Sequence, residues 1–115
     1  MGLDQVWARK KDEDEYESLH YHRKFNALEG FMAAQWAEET GRPAEKFNCE
    51  YFTVTLEILD KLERTNLEPT PGFFFGNNEK DEWYYKDMQE LRGTVIPDIR
   101  ERLKKGETIA YSSWW

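Results

Sequence analysis

Carboxylates grouped with tyrosines give this chain its clearest potential for chemistry. Asp81, Glu82 and Asp87 stand close together in the sequence, with Tyr84 and Tyr85 between them. Carboxylates that converge can transfer protons or hold a hard metal ion. Their spacing also places them at the start of a predicted helix, where the helix dipole favours negative charge. We therefore favour a helix-start role for these acids over catalysis, and we predict no catalytic residue.

Two histidines offer a second possibility, a metal centre. His20 and His22 would point to different sides of a helix, so they could share a metal only in an extended chain. No further cluster of His or Cys supplies ligands at metal spacing, and Cys49 is the only cysteine. The chain also lacks a glycine-rich phosphate loop, a nucleophile elbow and a dinucleotide fingerprint. We predict surface histidines, no metal site and no cofactor.

A polar pocket is the third possibility. Arg23 and Asn26 are three residues apart and would share one face of a predicted first helix. Facing Asp81 and Tyr85 at the start of a predicted third helix, they could line a pocket for an anionic or amide-bearing ligand. Arg23 could instead form an ion pair between the two helices, because a guanidinium group matches a carboxylate. We favour the ion pair and keep the pocket as an alternative.

Periodicity and capping predict the elements that must position these groups. Leu3–Ala8 is apolar-rich and predicts a first strand, and residues 9–17 form a charge run typical of a solvated loop. Apolar residues at helical spacing predict an amphipathic helix over His20–Glu39. Glu50–Val54 is β-branched and aromatic, which predicts a second strand, and Thr55 can cap the helix that follows.

The second half of the chain predicts two further strands and a long helix. Residues 72–76, Gly-Phe-Phe-Phe-Gly, predict a third strand or a strand-like loop. An apolar stripe at steps of three or four predicts one long third helix to Lys105, strained or kinked near Gly93 and Pro97. Residues 108–111 predict a last strand.

Length and patterning together predict one domain over residues 1–115. A chain of 115 residues can bury a core without disulfide or metal support. The strands are separated by helices without regular βαβ alternation, which favours the α+β class. We expect three helices packed on a small, mainly antiparallel sheet of three or four short strands.

Charge and hydropathy restrict the possible partners. The net charge of -7 and the pI near 4.9 argue against direct binding to nucleic acid or to an anionic membrane. No segment approaches the roughly 20 apolar residues that a membrane span needs. The first residues lack the hydrophobic run of a signal peptide. With Cys49 as the only cysteine, no disulfide can form within the chain, which predicts a reducing compartment such as the cytoplasm. The oligomeric state stays open.

Aromatic residues make up 16% of the chain and predict a binding surface. In a strand, Phe73 and Phe75 would face one way and Phe74 the other, which leaves Phe74 beside the acids. The predicted binding residues are Phe74, Asp81, Glu82, Trp83, Tyr84, Asp87, Trp114 and Trp115. Because chain ends fray unless they are docked, we expect at least Trp114 to pack back on the core or to fill a partner's pocket.

Several motifs resemble those of a family of small proteins from tailed bacteriophages. The resemblance covers nearly the whole chain and is carried by Met1–Asp4, Tyr21–Ala27, Asn48–Tyr51, Gly72–Gly76, Asp81–Asp87 and Tyr111–Trp114. This chain departs from the family pattern at His22, where tryptophan is usual, at Glu29, where histidine is common, and in having Trp115. The resemblance implies phage origin and a role inside an infected bacterium, and it implies no particular activity.

These features favour a non-enzymatic phage accessory protein. It would bind a host or phage macromolecule, with a protein as the expected partner, through an acidic, aromatic-rimmed face. The setting would be host takeover or counter-defence in the cytoplasm of the infected bacterial host. One alternative is a small-ligand-binding protein or enzyme that uses the pocket at Arg23, Asn26, Asp81 and Tyr85. The other alternative is a minor component of the virion.

Overall fold

The computed structural model describes residues 2–69 and 82–115. The predicted strand at 72–76, its Phe74, and Asp81 lie outside these residues. Within them, helices pack on an antiparallel sheet, so the predicted α+β class is confirmed.

Among the described residues, the sheet has four strands in the order β2-β1-β4-β3, and every neighbouring pair is antiparallel. The strands are β1 (Asp4–Lys10), β2 (Tyr16–Arg23), β3 (Tyr51–Thr53) and β4 (Ile109–Trp114). The strands nearest the two ends of the chain, β1 and β4, therefore lie side by side at the centre. Each central strand is flanked on both sides, so the two ends of the chain are tied into the middle of the fold.

Strand β2 corrects two predictions. The predicted loop at residues 9–17 is in fact a tight hairpin connection over residues 11–15, because β1 and β2 extend into both of its ends. The predicted helix over His20–Glu39 begins six residues late, since His20 to Arg23 belong to the strand. Pairing of this whole segment with β1 outweighs the helical spacing of its apolar residues.

The junction between β2 and the first helix is held by a side chain from β1. Lys24 adopts a positive φ of 58°, which turns the chain out of the strand. The backbone N–H of Phe25 then donates to Oε1 of Gln5, and Nε2 of Gln5 donates to the Phe25 carbonyl, both at 2.9 Å. One buried amide thus satisfies both backbone groups at the point where the helix starts.

Two helices and a short turn follow β2. Helix α1 (Asn26–Thr40) ends at Gly41, whose left-handed φ of 73° lets its N–H reach the Ala37 carbonyl. A 3-10 turn (Ala44–Phe47) leads to β3. Helix α2 (Leu56–Arg64) is capped by Thr55 as predicted, because the Thr55 hydroxyl accepts from the Ile58 N–H.

The predicted long third helix is a continuous helical segment with an irregular middle. It comprises α3 (Glu82–Glu90), a π turn (Leu91–Val95) and α4 (Ile96–Lys104). The N–H of Ile96 bonds the Leu91 carbonyl five residues back, and Pro97 has no N–H to restore normal helical bonding. The distortion predicted near Gly93 and Pro97 is confirmed.

The described helices all pack on one side of the sheet, which we term the inner face. Side chains alternate along a strand, and directly paired residues share a face. Trp7, Phe52 and Tyr111 share the inner face and belong to one buried cluster with apolar residues of every described helix. Val6, Ala8 and Ala110 point from the opposite, outer face, and they lie outside that cluster although they are buried.

No helix within residues 2–69 and 82–115 has the length and apolar character needed to cross a membrane.

Candidate functional site

The described part of the predicted acidic-aromatic surface lies on α3. Trp83 is 68% exposed and Tyr85 is 60% exposed, the two largest exposures among the large hydrophobic residues described. Glu82 is exposed beside them, whereas Asp87 is half-buried. We term Glu82, Trp83, Tyr84, Tyr85 and Asp87 the α3 surface.

Two contacts hold the α3 surface to the rest of the protein. Met88 is the buried residue of α3 and joins the core. Tyr84 is half-buried, and its hydroxyl donates to the Leu67 carbonyl at 2.6 Å. The Lys86 ammonium lies 5.3 Å from the centre of the Trp83 ring, a cation–π contact on the exposed side. Trp83 and Tyr85 are two residues apart, so they project from different sides of the helix.

The two terminal tryptophans do not join the α3 surface. Trp114 projects from the outer face of the sheet, whereas α3 packs on the inner face. Trp114 is 42% exposed and does not pack on the core cluster, so of the two expected outcomes only the second, filling a partner's pocket, stays a prediction. Trp115 does pack against the core, and its backbone N–H and carbonyl are bonded by the Asn48 side chain. The predicted single binding face is thus split between two sides of the molecule.

The outer face carries a second group of exposed aromatic side chains. Tyr21 is 53% and Tyr51 is 47% exposed, and both lie on this face with Trp114. The residues between them on the two central strands are small and buried, namely Val6, Ala8, Ala110 and Ser112. This side of the sheet therefore has a floor of small side chains framed by aromatic rings.

The rings of Tyr16 and Tyr51 stack across the outer face, although they come from the two edge strands. Their centres are 4.0 Å apart and their planes differ by 6°. The diagonal between the two residues runs over Ala8 and Ala110, each 2% exposed, so the stacked rings account for the burial of these alanines. At the other end, the Tyr21 hydroxyl donates to the Asp4 carboxylate. The aromatic frame is consequently held in place.

The alternative pocket requires Arg23 and Asn26 to share one face of the first helix, and in the structure they do not. Arg23 is the last residue of β2 and is exposed, whereas Asn26 is the first residue of α1 and is buried. They do not share a helix face, because the positive φ of Lys24 separates them. Tyr85 is exposed on α3, and Asp81 lies outside the described residues. A ligand-binding role for these residues stays a prediction.

A buried polar cluster links α1 to β4 on the inner face. Glu29 is fully buried, and its two carboxylate oxygens accept hydrogen bonds from the Tyr111 and Ser113 hydroxyls, both at 2.7 Å. The Gln5 amide donates to the Tyr111 hydroxyl at 2.9 Å. Every member of this chain of contacts has a partner, as buried polar groups require.

Burial raises the pKa of Glu29 to about 6, although the hydrogen bonds from Ser113 and Tyr111 lower it. A carboxyl that titrates near neutral pH can act as a general acid or base when substrate reaches it. Glu29 and Ser113 have no exposed surface, and both hydroxyl donors already engage the carboxylate. The cluster therefore serves to join α1 to the central strand.

The histidines are not the surface residues that the sequence predicts. His22 is buried, and its Nε2 accepts a hydrogen bond from the Trp7 indole at 3.0 Å, so this nitrogen carries no proton. Burial, followed by the nearby His20, lowers the pKa of His22 to about 4. His20 is half-buried, and its Nε2 lies 2.7 Å from the Asp98 carboxylate on α4.

An ion-pair chain continues from His20 toward the hairpin. Arg102 donates to Asp98 at 3.1 and 3.2 Å and to Glu107 at 3.1 Å, and Glu107 lies 3.8 Å from Arg9. Burial raises the pKa of Asp98, but the hydrogen bonds from His20 and Arg102 outweigh it and the net pKa is lowered. Among the described residues, no three His, Cys, Asp or Glu side chains are grouped to hold a metal ion. These contacts tie β2 and β1 to α4.

Sequence reasoning missed Glu29 and the outer-face tyrosines. Tyr51 lies in a strand that the sequence did predict, but Tyr16 and Tyr21 lie on β2, which it did not. Tyr16 and Tyr21 are five residues apart and share a face only because the pairing of β1 with β2 shifts register between Trp7 and Ala8, which no local pattern indicates. A weaker signal marked Glu29, which stands among apolar residues in the first turn of α1. Its partners Tyr111 and Ser113 lie 82 and 84 residues further along the chain, beyond any local pattern.

Comparisons with protein-family models, with curated proteins and with solved structures found no match to this chain.

Proposed function

We propose that this chain is a phage accessory protein that binds a host or phage protein through the α3 surface. The observation that carries the proposal is the exposure of Trp83 and Tyr85 on one short helix. Tryptophan and tyrosine are the residues that most often dominate binding energy at protein interfaces. Large aromatic rings left in water have hydrophobic area still to bury, which favours a partner at this position.

The arrangement of the rings suits a partner with a groove. Trp83 and Tyr85 project from different sides of α3, so a flat surface would cover only one of them. A groove that receives the helix would cover both, which is a common mode of helix recognition. With Glu82, Asp87 and Glu90 against Lys86, α3 has two net negative charges, so the groove should be basic.

The biological setting rests on the resemblance to small proteins of tailed bacteriophages. It supports host takeover or counter-defence in the cytoplasm of an infected bacterium. The acidic net charge of -7 supports a basic protein as partner, or competition with nucleic acid for a basic groove.

The test is affinity capture from infected bacteria with the tagged chain and with the Trp83→Ala/Tyr85→Ala variant. Alanine keeps helix propensity, and both positions are exposed, so the variant should fold normally. We expect a specific partner on the unsubstituted chain and at least a roughly tenfold weaker signal with the variant. Raising the salt concentration should weaken capture, because the contact is partly electrostatic.

Trp114→Thr provides the matched control, since it removes an exposed tryptophan from the other side of the molecule. Capture should be unchanged in this variant. Recovery of no protein above background, or equal loss in the Trp83 and Trp114 variants, would reject binding through α3.

A further inference from the structure

We infer that the outer face of the sheet is a self-association surface, occupied by the same face of a second copy of this chain. The starting observation is that three aromatic residues on this face, Tyr21, Tyr51 and Trp114, are between 42% and 53% exposed. The stacked Tyr16 and Tyr51 rings form a ridge over the small, buried residues Ala8 and Ala110. Tyr21 and Trp114 stand nearer the Asp4 end of the same face, so the aromatic ridges of one copy can pack beside those of another.

Charge at the two ends of the outer face is opposite in sign. At one end lie Arg23 and Lys24, with Asp4 beside them, which leaves one net positive charge. The other end is the β1–β2 hairpin, residues 10–15, where four acids and two lysines leave two net negative charges. The ends are separated by the length of β2, roughly 25 Å for eight residues.

This charge pattern selects the occupant and its direction. Consider two copies with their outer faces together, related by a two-fold axis that lies between the sheets and runs perpendicular to the strands. The basic end of each copy then lies over the acidic end of the other, so the two copies make two attractive contacts. An alignment with like ends together would be repulsive at both ends. A polyanion such as nucleic acid would meet the acidic hairpin, so a second copy fits better.

The size of the face sets the expected strength. The strands β2, β1, β4 and β3 have eight, seven, six and three residues, and at about 4.8 by 3.3 Å per residue they give a face of roughly 380 Å² per copy. Two such faces bury roughly 760 Å², which is below the standard size for stable complexes and in the range of weak, transient ones. The association should therefore depend on concentration, with monomers prevailing when the protein is dilute.

Sedimentation equilibrium of the full chain over roughly 1 μM to 1 mM, at low and at high salt, tests the inference. We expect the average mass to rise from 13.8 kDa toward twice that value as concentration increases, and to rise less at high salt. The Tyr51→Thr/Trp114→Thr variant should associate at least about tenfold more weakly, because it removes two of the exposed aromatic rings that the second copy would contact. Threonine preserves strand propensity at both positions.

A charge-reversal pair tests the direction of docking. Arg23→Glu should weaken association, since it places a negative charge over the acidic hairpin of the other copy. Combining it with Glu13→Lys, an exposed hairpin residue, brings the hairpin to zero net charge, so the double variant should lose the repulsion and associate more strongly than Arg23→Glu alone. Both changes are on exposed side chains and should leave the fold intact.

Trp83→Ala is the control, and it should leave self-association unchanged because α3 lies on the inner side. A mass of 13.8 kDa at every concentration would overturn the inference. So would association that the Tyr51→Thr/Trp114→Thr variant retains in full, or a monomer whose outer face instead captures a different protein. None of these outcomes bears on the α3 surface, so the two proposals fail separately.

Discussion

The inner and outer faces of the sheet use similar residues in different ways. Along β4, Tyr111 and Ser113 point inward and both donate to Glu29, whereas Ser112 and Trp114 point outward. The inward hydroxyls complete a buried network, and the outward tryptophan ends in solvent. The difference indicates that the inner face holds the fold together, while the outer face has area left for contact with another molecule.

Removing the centre of the inner network should give the largest effect. Glu29→Ala leaves the Tyr111 and Ser113 hydroxyls without an acceptor and creates a cavity under α1. We expect a loss of about 3 to 4 kcal/mol in the free energy of unfolding, even after relief of the buried charge. Urea unfolding at pH 7 measures it, with Glu38→Ala on the exposed side of α1 as the control. A loss below about 1 kcal/mol would show that the network is not needed.

The pH dependence of stability separates two buried groups on the inner face. The pKa of Glu29 is raised from 4.5 to about 6. Its contribution to the free energy of unfolding is therefore fully present below pH 4.5, and about 2 kcal/mol of that free energy is lost as the pH rises through 6. The pKa of His22 is lowered from 6.5 to about 4. Its contribution to the free energy of unfolding is therefore fully present above pH 6.5, and about 3 kcal/mol of that free energy is lost as the pH falls toward 4. The two effects oppose each other between pH 4.5 and 6.

In a Glu29→Gln variant, the loss of stability at low pH that is due to His22 should no longer be offset by Glu29, because the amide does not titrate. We expect the variant to lose stability more steeply than the unsubstituted protein between pH 6.5 and 4.5, by about 2 kcal/mol over that interval. Urea unfolding across this range measures the difference. Parallel curves for the two proteins would contradict the assignment of the raised pKa to Glu29.

A smaller difference should separate tyrosines on the two faces. Tyr111→Phe removes a hydroxyl that joins Gln5 to Glu29, and we expect a loss of about 1 to 2 kcal/mol. Tyr51→Phe on the outer face keeps the ring that stacks on Tyr16, and it should change stability by less than about 0.5 kcal/mol. Thermal unfolding of both variants, measured side by side, gives the comparison. Equal losses would mean that the faces do not differ in this way.

Local rules predicted the parts of the fold that local interactions determine. Thr55 caps α2, and the distortion of the third helix falls near Gly93 and Pro97, because backbone hydrogen bonding at these points depends on near neighbours. The α+β class also followed from the order of the elements. These features needed no knowledge of what the segments pack against.

Strand β2 could not be predicted, because distant contacts decide it. Tyr21, Phe25 and Leu28 are spaced like the buried side of a helix, yet Tyr21 is exposed on a strand and the helix starts at Asn26. Pairing with β1 and the Gln5 contact to Phe25 determine the outcome. The same error assigned His22 to the surface and left the outer-face aromatics unrecognised.

The candidate site was predicted only in part for the same reason. Trp83 and Trp114 were assigned to one surface because both are aromatic and their places in the fold were unknown. Their separation depends on the sheet order, in which the last strand lies at the centre. Whether the α3 surface binds a protein stays a prediction.

The central claim is that the fold does not depend on the exposed aromatic residues of the outer face. The most direct test is the free energy of unfolding of the Tyr51→Thr/Trp114→Thr variant, measured by urea at a few μM, where the protein should be monomeric. We expect a value within about 2 kcal/mol of the unsubstituted protein, since neither residue belongs to the core cluster, nearly half of each is exposed, and threonine favours strands. A loss above about 3 kcal/mol would place these aromatic residues in the structural core and contradict the division between the two faces.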